Sequence, residues 1–214
     1  MLDARLRQVA DFVRQGSRLA DIGTDHALLP TMLVSEGRCP LAIASDIKVG
    51  PVAAATRTVE TANLTDTVSV RLGDGLSTVS PEETDDIVIA GMGGETIAAI
   101  LEAAPWTKNE RYRLILQPMT RAEKLRRYLY ENGFSIESEA VVRDGRHWYT
   151  VLCVSFSGTP FVPTDAECYI GKVPMPQGDG YLQTVVNRLT KQQKGEQSAH
   201  LESVLDAIRS YRGK

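Results

Sequence analysis

Apolar and polar positions follow two rhythms along this chain. Leu2, Leu6, Val9 and Val13 recur every three or four residues, which lines one face of a helix, with Asp3 as its cap and Gly16 as its end. Short apolar runs of strand length then appear at 18–22, 42–47, 68–72, 86–90 and 114–117. Helical spacing separates most of them, over 28–36, 50–63, 94–103 and 120–131. Pro30 falls in a first turn, where a missing N–H leaves nothing unpaired. Strands that alternate with helices predict a parallel sheet covered on both faces. Two longer runs, 134–143 and 148–156, flank Asp144-Gly145, which predicts a hairpin and hence an antiparallel edge. The expected fold class is α/β, with seven strands.

Beyond Phe156 the rhythm breaks. Gly158, Pro160, Pro163, Gly171, Pro174, Pro176, Gly178 and Gly180 crowd one segment, which reads as an irregular linker. Leu182, Val185, Val186 and Leu189 then share one helical face. Leu201, Val204 or Leu205, and Ile208 share another, and the break between the two is expected near Gly195. The pair predicts a C-terminal α-helical hairpin of coiled-coil type, too short to stand alone. The expected division is 1–157 for the sheet domain and 158–214 for linker plus hairpin.

The 214 residues, 43% of them hydrophobic, suffice for one sizeable domain and a small appendage. A formal net charge of −3 gives no global attraction for nucleic acid. The balance is uneven, since residues 158–214 carry seven Lys/Arg against six Asp/Glu. An RNA contact would need a local patch. Arg111, Arg113, Arg121, Lys124, Arg126, Arg127, Arg143, Arg146, Arg188, Lys191 and Lys194 are the candidates, and a solvated helix face explains the same residues equally well. Cys39, Cys153 and Cys168 are odd in number and lack C-x-x-C spacing, which argues against zinc and against a disulfide framework. With no bilayer-length apolar run and no signal-peptide pattern, a cytoplasmic protein is expected, without membrane or metal; a monomer is the expected state.

The candidate chemistry begins with two acids that follow consecutive strands. Ile22-Gly23-Thr24-Asp25-His26-Ala27 leaves the first strand, and Asp46-Ile47 ends the second. A glycine turn after a first strand brings backbone N–H groups and a helix start near a ligand. An acid after the second strand can accept both hydroxyls of a ribose. Asp25 and Ala27 stand where a dinucleotide motif has glycines, and Asp25 would repel a pyrophosphate. An ammonium welcomes a carboxylate, so the loop favours S-adenosyl-L-methionine as cofactor. Asp46 is the ribose candidate, Ile47 can pack on adenine, and Asp74-Gly75 can meet the exocyclic amine or serve only as a turn.

Gly91-Met92-Gly93-Gly94 imitates a dinucleotide fingerprint, yet it follows the fourth strand rather than the first. In that place its glycines would let a flat acceptor base lie against backbone, and Met92 fits plain packing as well. Gln117 ends strand five, where it can read a base edge or cap a helix. Asp25 is the polar candidate near the methyl, with His26 an alternative acid/base group.

Several ordered blocks carry a resemblance. They are Arg5-Leu6 with 9–13, the stretch 19–30, the stretch 87–94, the stretch 114–118, and Leu129 to Phe134. Together they resemble the bacterial tRNA (adenine-22-N1)-methyltransferase family over roughly residues 1–157. The resemblance implies a Rossmann-like, seven-stranded class I methyltransferase sheet followed by a coiled-coil domain that helps bind tRNA. It implies S-adenosyl-L-methionine-dependent methylation of adenine N1 at position 22, in the D-loop region. It places Asp21, Gly23, Asp25 and His26 in the cofactor loop, where Thr24 is a further cofactor-binding candidate, Asp46 at the ribose, Asp74 and Gly75 at the adenine, and Gly91 to Gly94 at the catalytic loop. The chain departs from the family in its Pro/Gly-rich 173–180 segment and short C-terminal helices, which bears on tRNA affinity and target position. The alternatives are another methyl acceptor, a non-catalytic cofactor- or RNA-binding module, and a dehydrogenase.

Overall fold

The computed structural model describes residues 2–213. Asp3 caps α1 (Ala4–Phe12) by accepting from the Leu6 N–H at 2.7 Å. The helix ends at Phe12, short of Gly16. Val13 turns extended, and the buried carboxylate of Asp86 takes both the backbone N–H and the Nε–H of Arg14, at 2.7 and 2.6 Å. A long-range ion pair, not a glycine, therefore stops α1.

The strands and helices then alternate: β1 (Leu19–Ile22), α2 (Leu28–Ser35), β2 (Ala42–Asp46), α3 (Val49–Thr61), β3 (Val68–Leu72), β4 (Asp86–Gly93), α4 (Gly94–Glu102), β5 (Arg113–Thr120) and α5 (Ala122–Glu131). The hairpin β6 (Phe134–Asp144) and β7 (His147–Phe156) follows. The sheet runs β3-β2-β1-β4-β5-β7-β6. Its first five strands are parallel, and β7 lies antiparallel to both β5 and β6. Strand order reverses beside β1, where open α/β sheets bind ligands at their carboxyl edge. Two apolar clusters cover the two faces. One holds Ile22, Ile87, Ile89 and Leu116, the other Leu19, Val88 and Ile115, so side chains of adjacent residues alternate between them.

β4 continues three residues past the predicted end at Ala90, so Gly91, Met92 and Gly93 belong to an irregular strand rather than to a free loop. Ala90 pairs with Gln117, Met92 with Pro118 and Gly93 with Thr120, and the register shifts at each step. Such bulges re-aim a strand end, here toward the carboxyl edge.

The C-terminal region also differs from expectation. The Pro/Gly-rich segment contains α6 (Asp165–Ile170), opened by a capping box between Thr164 and Glu167. Next, α7 (Asp179–Glu196) runs through Gly195. The break falls at Gln197 in a left-handed conformation, after which Ser198 caps α8 (Ala199–Arg212). The predicted apolar faces do meet. Leu182, Val186, Leu189, Val204, Leu205 and Ile208 form a third cluster that packs on Val141 and Trp148 of the β hairpin. Among the described residues no helix is long and apolar enough to cross a membrane, and no group of His, Cys, Asp or Glu is placed to hold a metal.

Candidate functional site

The carboxyl ends of β1, β2 and β3 are stitched together by backbone. Gly23 and Thr24 both donate to the Ser45 carbonyl, at 2.8 and 3.0 Å, and Gly73 donates to the Asp46 carbonyl at 3.0 Å. The end of β4 joins them through Met92, whose methyl lies against Gly23. Gly23, Asp46, Asp74 and the segment from Gly91 thus share one edge. Asp74 and Gly75 line a hollow of about 380 Å3 with Leu76, Ser77, Thr96 and Ile100. Ile47, just past the end of β2, and Leu72, the last residue of β3, are 59% and 54% exposed, bare apolar side chains at the carboxyl ends of those strands.

The electrostatics centre on Asp21. Its side chain is only 6% exposed, and burial pushes its carboxyl up to about 6. The Thr24 hydroxyl, donating at 2.5 Å, and the Arg5 guanidinium pull the other way, while Asp46 adds to the rise. Asp46 spends one oxygen on the Lys48 N–H at 2.9 Å. A buried acid beside a second acid attracts a cation and repels a pyrophosphate, which favours a sulfonium cofactor over a dinucleotide. The same donor set fits an S-adenosyl-L-methionine: Asp21 for an ammonium, Asp46 for a vicinal diol, Ile47 and Leu72 for a flat base, and Asp74 for an amine.

Asp25 and His26 stand outside this floor. Both are exposed, and they face each other at 3.7 Å. His26 borders a hollow formed with Ala54, Arg57, Thr58 and Thr61 of α3, on the flank of the cofactor loop rather than over it. Asp25 and Ala27 both have positive φ, of 51° and 52°, so a loop without the dinucleotide glycines still takes left-handed turns. Non-glycine residues in that conformation store strain, which clusters at ligand loops.

Gln117 corrects its sequence reading. It is fully buried, and its Oε1 accepts from the Gly91 N–H at 3.0 Å and from Arg5 Nη1 at 2.7 Å. Its Nε2 donates to the Pro118 carbonyl at 2.9 Å. With both ends of the amide engaged by the protein, Gln117 holds the turn at Gly91 instead of reading a base. Gly91 has a φ of +82°, which only glycine takes freely. Arg5 was missed as a site residue. It lies on α1, which carries the guanidinium toward Gln117, Gly91 and Asp21 at once. Arg126 also corrects the basic-patch reading, since it is wholly buried against Glu139.

Gly94 begins α4 in close contact with the next strand's exit. A Cβ there would lie 2.3 Å from the Arg121 carbonyl oxygen, a backbone atom with little freedom to yield. Gly94→Ala is therefore expected to destabilise the protein by about 1–3 kcal/mol, the usual range for overpacking, and to lower turnover by displacing Gly91 to Gly93. Thermal unfolding and steady-state rates measure the two effects.

Three comparisons bear on this geometry. Residues 2–152 match the family described as a methyltransferase domain. The tRNA (adenine(22)-N(1))-methyltransferase of Bacillus subtilis is 42% identical over 151 residues, which make up 71% of this chain and 63% of that protein. The match thus spans a little under two thirds of that relative's length. Among solved structures, Streptococcus pneumoniae Sp1610 in complex with S-adenosyl-L-methionine is 32% identical and superposes with a TM-score of 0.88, covering 99% of this chain and 100% of its own. M. capricolum TrmK in complex with S-adenosyl-homocysteine is 26% identical with a TM-score of 0.83, covering 100% of this chain and 98% of its own.

Proposed function

Because this chain belongs to the bacterial tRNA (adenine-22-N1)-methyltransferase family, we propose that it binds S-adenosyl-L-methionine and methylates N1 of adenine 22 in tRNA, as a cytoplasmic monomer. The observation that carries this reading is the convergence of Asp21, Asp46, the Asp74-Gly75 hollow and the Gly91-to-Gly94 segment on one sheet edge. When bound, the cofactor supplies a methyl group on a sulfonium, an electrophile that needs no metal.

The N1 lone pair of adenine is free at neutral pH, so the chain has no proton to remove. Its work is positioning and electrostatics. In this reading Asp21 takes the ammonium, with Thr24 orienting the carboxylate through its hydroxyl. Asp46 takes the ribose hydroxyls, Ile47 packs on the adenine, and Asp74 meets its amine. Arg5 and Gln117 fix the turn at Gly91, against which the acceptor base lies. Asp25, exposed at the rim, is the carboxylate assigned to the positive charge that methylation leaves on the base. We assign His26 to shaping the cofactor loop. The target adenine must leave its stack, at a cost of a few kcal/mol that phosphate contacts offset.

The test is nucleoside mass spectrometry after incubating the protein with S-adenosyl-L-methionine and unmodified tRNA. N1-methyladenosine at position 22 is the expected product. Methyl uptake only into other acceptors, or cofactor binding without turnover on any tRNA, would replace this reading with another.

A further inference from the structure

Outside the cofactor edge lies a second groove, of about 470 Å3, which the roles assigned above do not use. It runs between the exit of β5, the tip of the β6–β7 hairpin and α7. We infer that this groove is a nucleotide subsite that holds a phosphodiester and a neighbouring base of the RNA next to the acceptor adenine. The inference rests on the tRNA reading and gives it a surface.

Position is the first argument. One wall is Thr120 and Arg121. Thr120 pairs with Gly93, and the Arg121 carbonyl abuts Gly94, so the groove opens one strand away from the segment assigned to the acceptor base. A chain with its base at Gly91 to Gly94 would lay its next linkage here. A groove of this size falls within the range that takes a small ligand.

Charge is the second. Arg121, Arg146 and Arg188 line the groove, from the β5–α5 connection, the hairpin turn and α7. Glu123 lies between two of them, 3.8 Å from Arg121 Nη1 and 3.2 Å from Arg188 Nη2, and its side chain is only 8% exposed. A nearly buried carboxylate thus holds two guanidiniums close together while their outer faces stay open. Three arginines against one acid leave a net positive groove, and guanidinium forks match phosphate oxygens. This local patch is what an acidic chain needs in order to hold a polyanion.

The third is flat surface. Trp148 and Tyr149, both half-buried, line the groove beside His147. The indole lies directly against Gly180 of α7, and Arg143 stacks 5.8 Å from its ring. Aromatic rings fixed next to guanidiniums are the combination that stacks unpaired bases and grips their backbone.

The test uses the full chain and measures tRNA affinity by fluorescence anisotropy across salt concentrations, separately from turnover. The variants are Arg121→Gln, Arg146→Gln and Arg188→Gln, with Lys108→Gln, exposed before the amino end of β5, as the control. Each groove variant is expected to bind tRNA about 3- to 10-fold more weakly and to flatten the salt dependence by roughly one unit of slope. Affinity for S-adenosyl-L-methionine should stay unchanged, which shows the fold intact, and the control should behave as wild type. Groove variants that bind tRNA like wild type, or no worse than the control, would overturn the subsite. Wild type that binds tRNA without methylating it would overturn the proposed function, and the variants would still decide the groove. Wild type that does not bind tRNA would overturn both.

Discussion

Asp21→Asn is expected to make the ligand-free protein more stable at pH 7.5 and to weaken its binding of S-adenosyl-L-methionine by about a hundredfold, roughly 2.7 kcal/mol. Both effects come from one buried charge. In the folded chain the carboxyl titrates at about 6 against an ordinary 3.8, chiefly because burial disfavours the charged form. Protonation therefore favours the fold. That contribution is complete below about pH 4 and is lost as pH rises through about 6, so at pH 7.5 the buried, charged carboxylate destabilises the ligand-free protein by on the order of 3 kcal/mol. Asparagine keeps an oxygen for the Thr24 hydroxyl and carries no charge. The melting temperature should rise by several degrees, at about 2–4 °C per kcal/mol for a chain of this size. In the proposed reading, the ligand's ammonium offsets the cost of burying this carboxylate. Wild-type affinity should thus fall below pH 6, approaching tenfold per unit, while the variant stays flat through the same window. Calorimetry from pH 5 to 8 separates the two curves. A variant whose affinity keeps the wild-type pH profile would remove Asp21 from the ligand.

Much of this site was legible in the sequence because the features that build it are local. The apolar runs of β1, β2 and β4 fix which faces are buried, and parallel pairing then brings every strand's exit to one edge. Gly23 follows β1 directly, Asp46 ends β2 and Asp74 lies two residues past β3, so knowing the strands places them. Gln117 was misread because its partners are not local. Arg5 lies 112 residues away, and no periodicity tells a buried amide that pins Gly91 from an exposed one that reads a base. The extension of β4 through Gly93 was hidden for a related reason, since three glycines in four residues read as a loop until β5 supplies the pairing. In α6 the signal existed, Thr164 three residues before Glu167, but six residues of helix carry too little periodicity to stand out among prolines and glycines.

Arg126 shows the same limit with the largest consequence for stability. In the sequence it is one of four basic residues on a charged amphipathic helix, yet neither its side chain nor that of Glu139 is exposed at all. The pair is bidentate, with Nε donating to Oε1 at 2.9 Å and Nη2 to Oε2 at 2.8 Å. Burial alone would weaken the charge on Arg126, and the Glu139 carboxylate more than reverses this, so its pKa is raised. The Thr150 hydroxyl donates to Glu139 at 3.0 Å, and Arg126 Nη1 donates to the Cys168 carbonyl at 2.7 Å. One ion pair thereby joins α5, both hairpin strands and α6. Arg126→Ala leaves a carboxylate and a carbonyl buried without their partner, and is expected to destabilise the protein by about 3–5 kcal/mol. The melting temperature should drop by about 10 °C or more, and proteases should cut first within 158–180, where α6 loses its anchor. Replacing the whole pair, as Arg126→Met with Glu139→Leu, should recover most of the loss, because a matched apolar pair leaves no uncompensated charge. Chemical denaturation of the single and double variants measures this. A single variant within 1 kcal/mol of wild type would mean that the apolar cluster under α7 and α8, not the ion pair, fastens the C-terminal helices to the sheet.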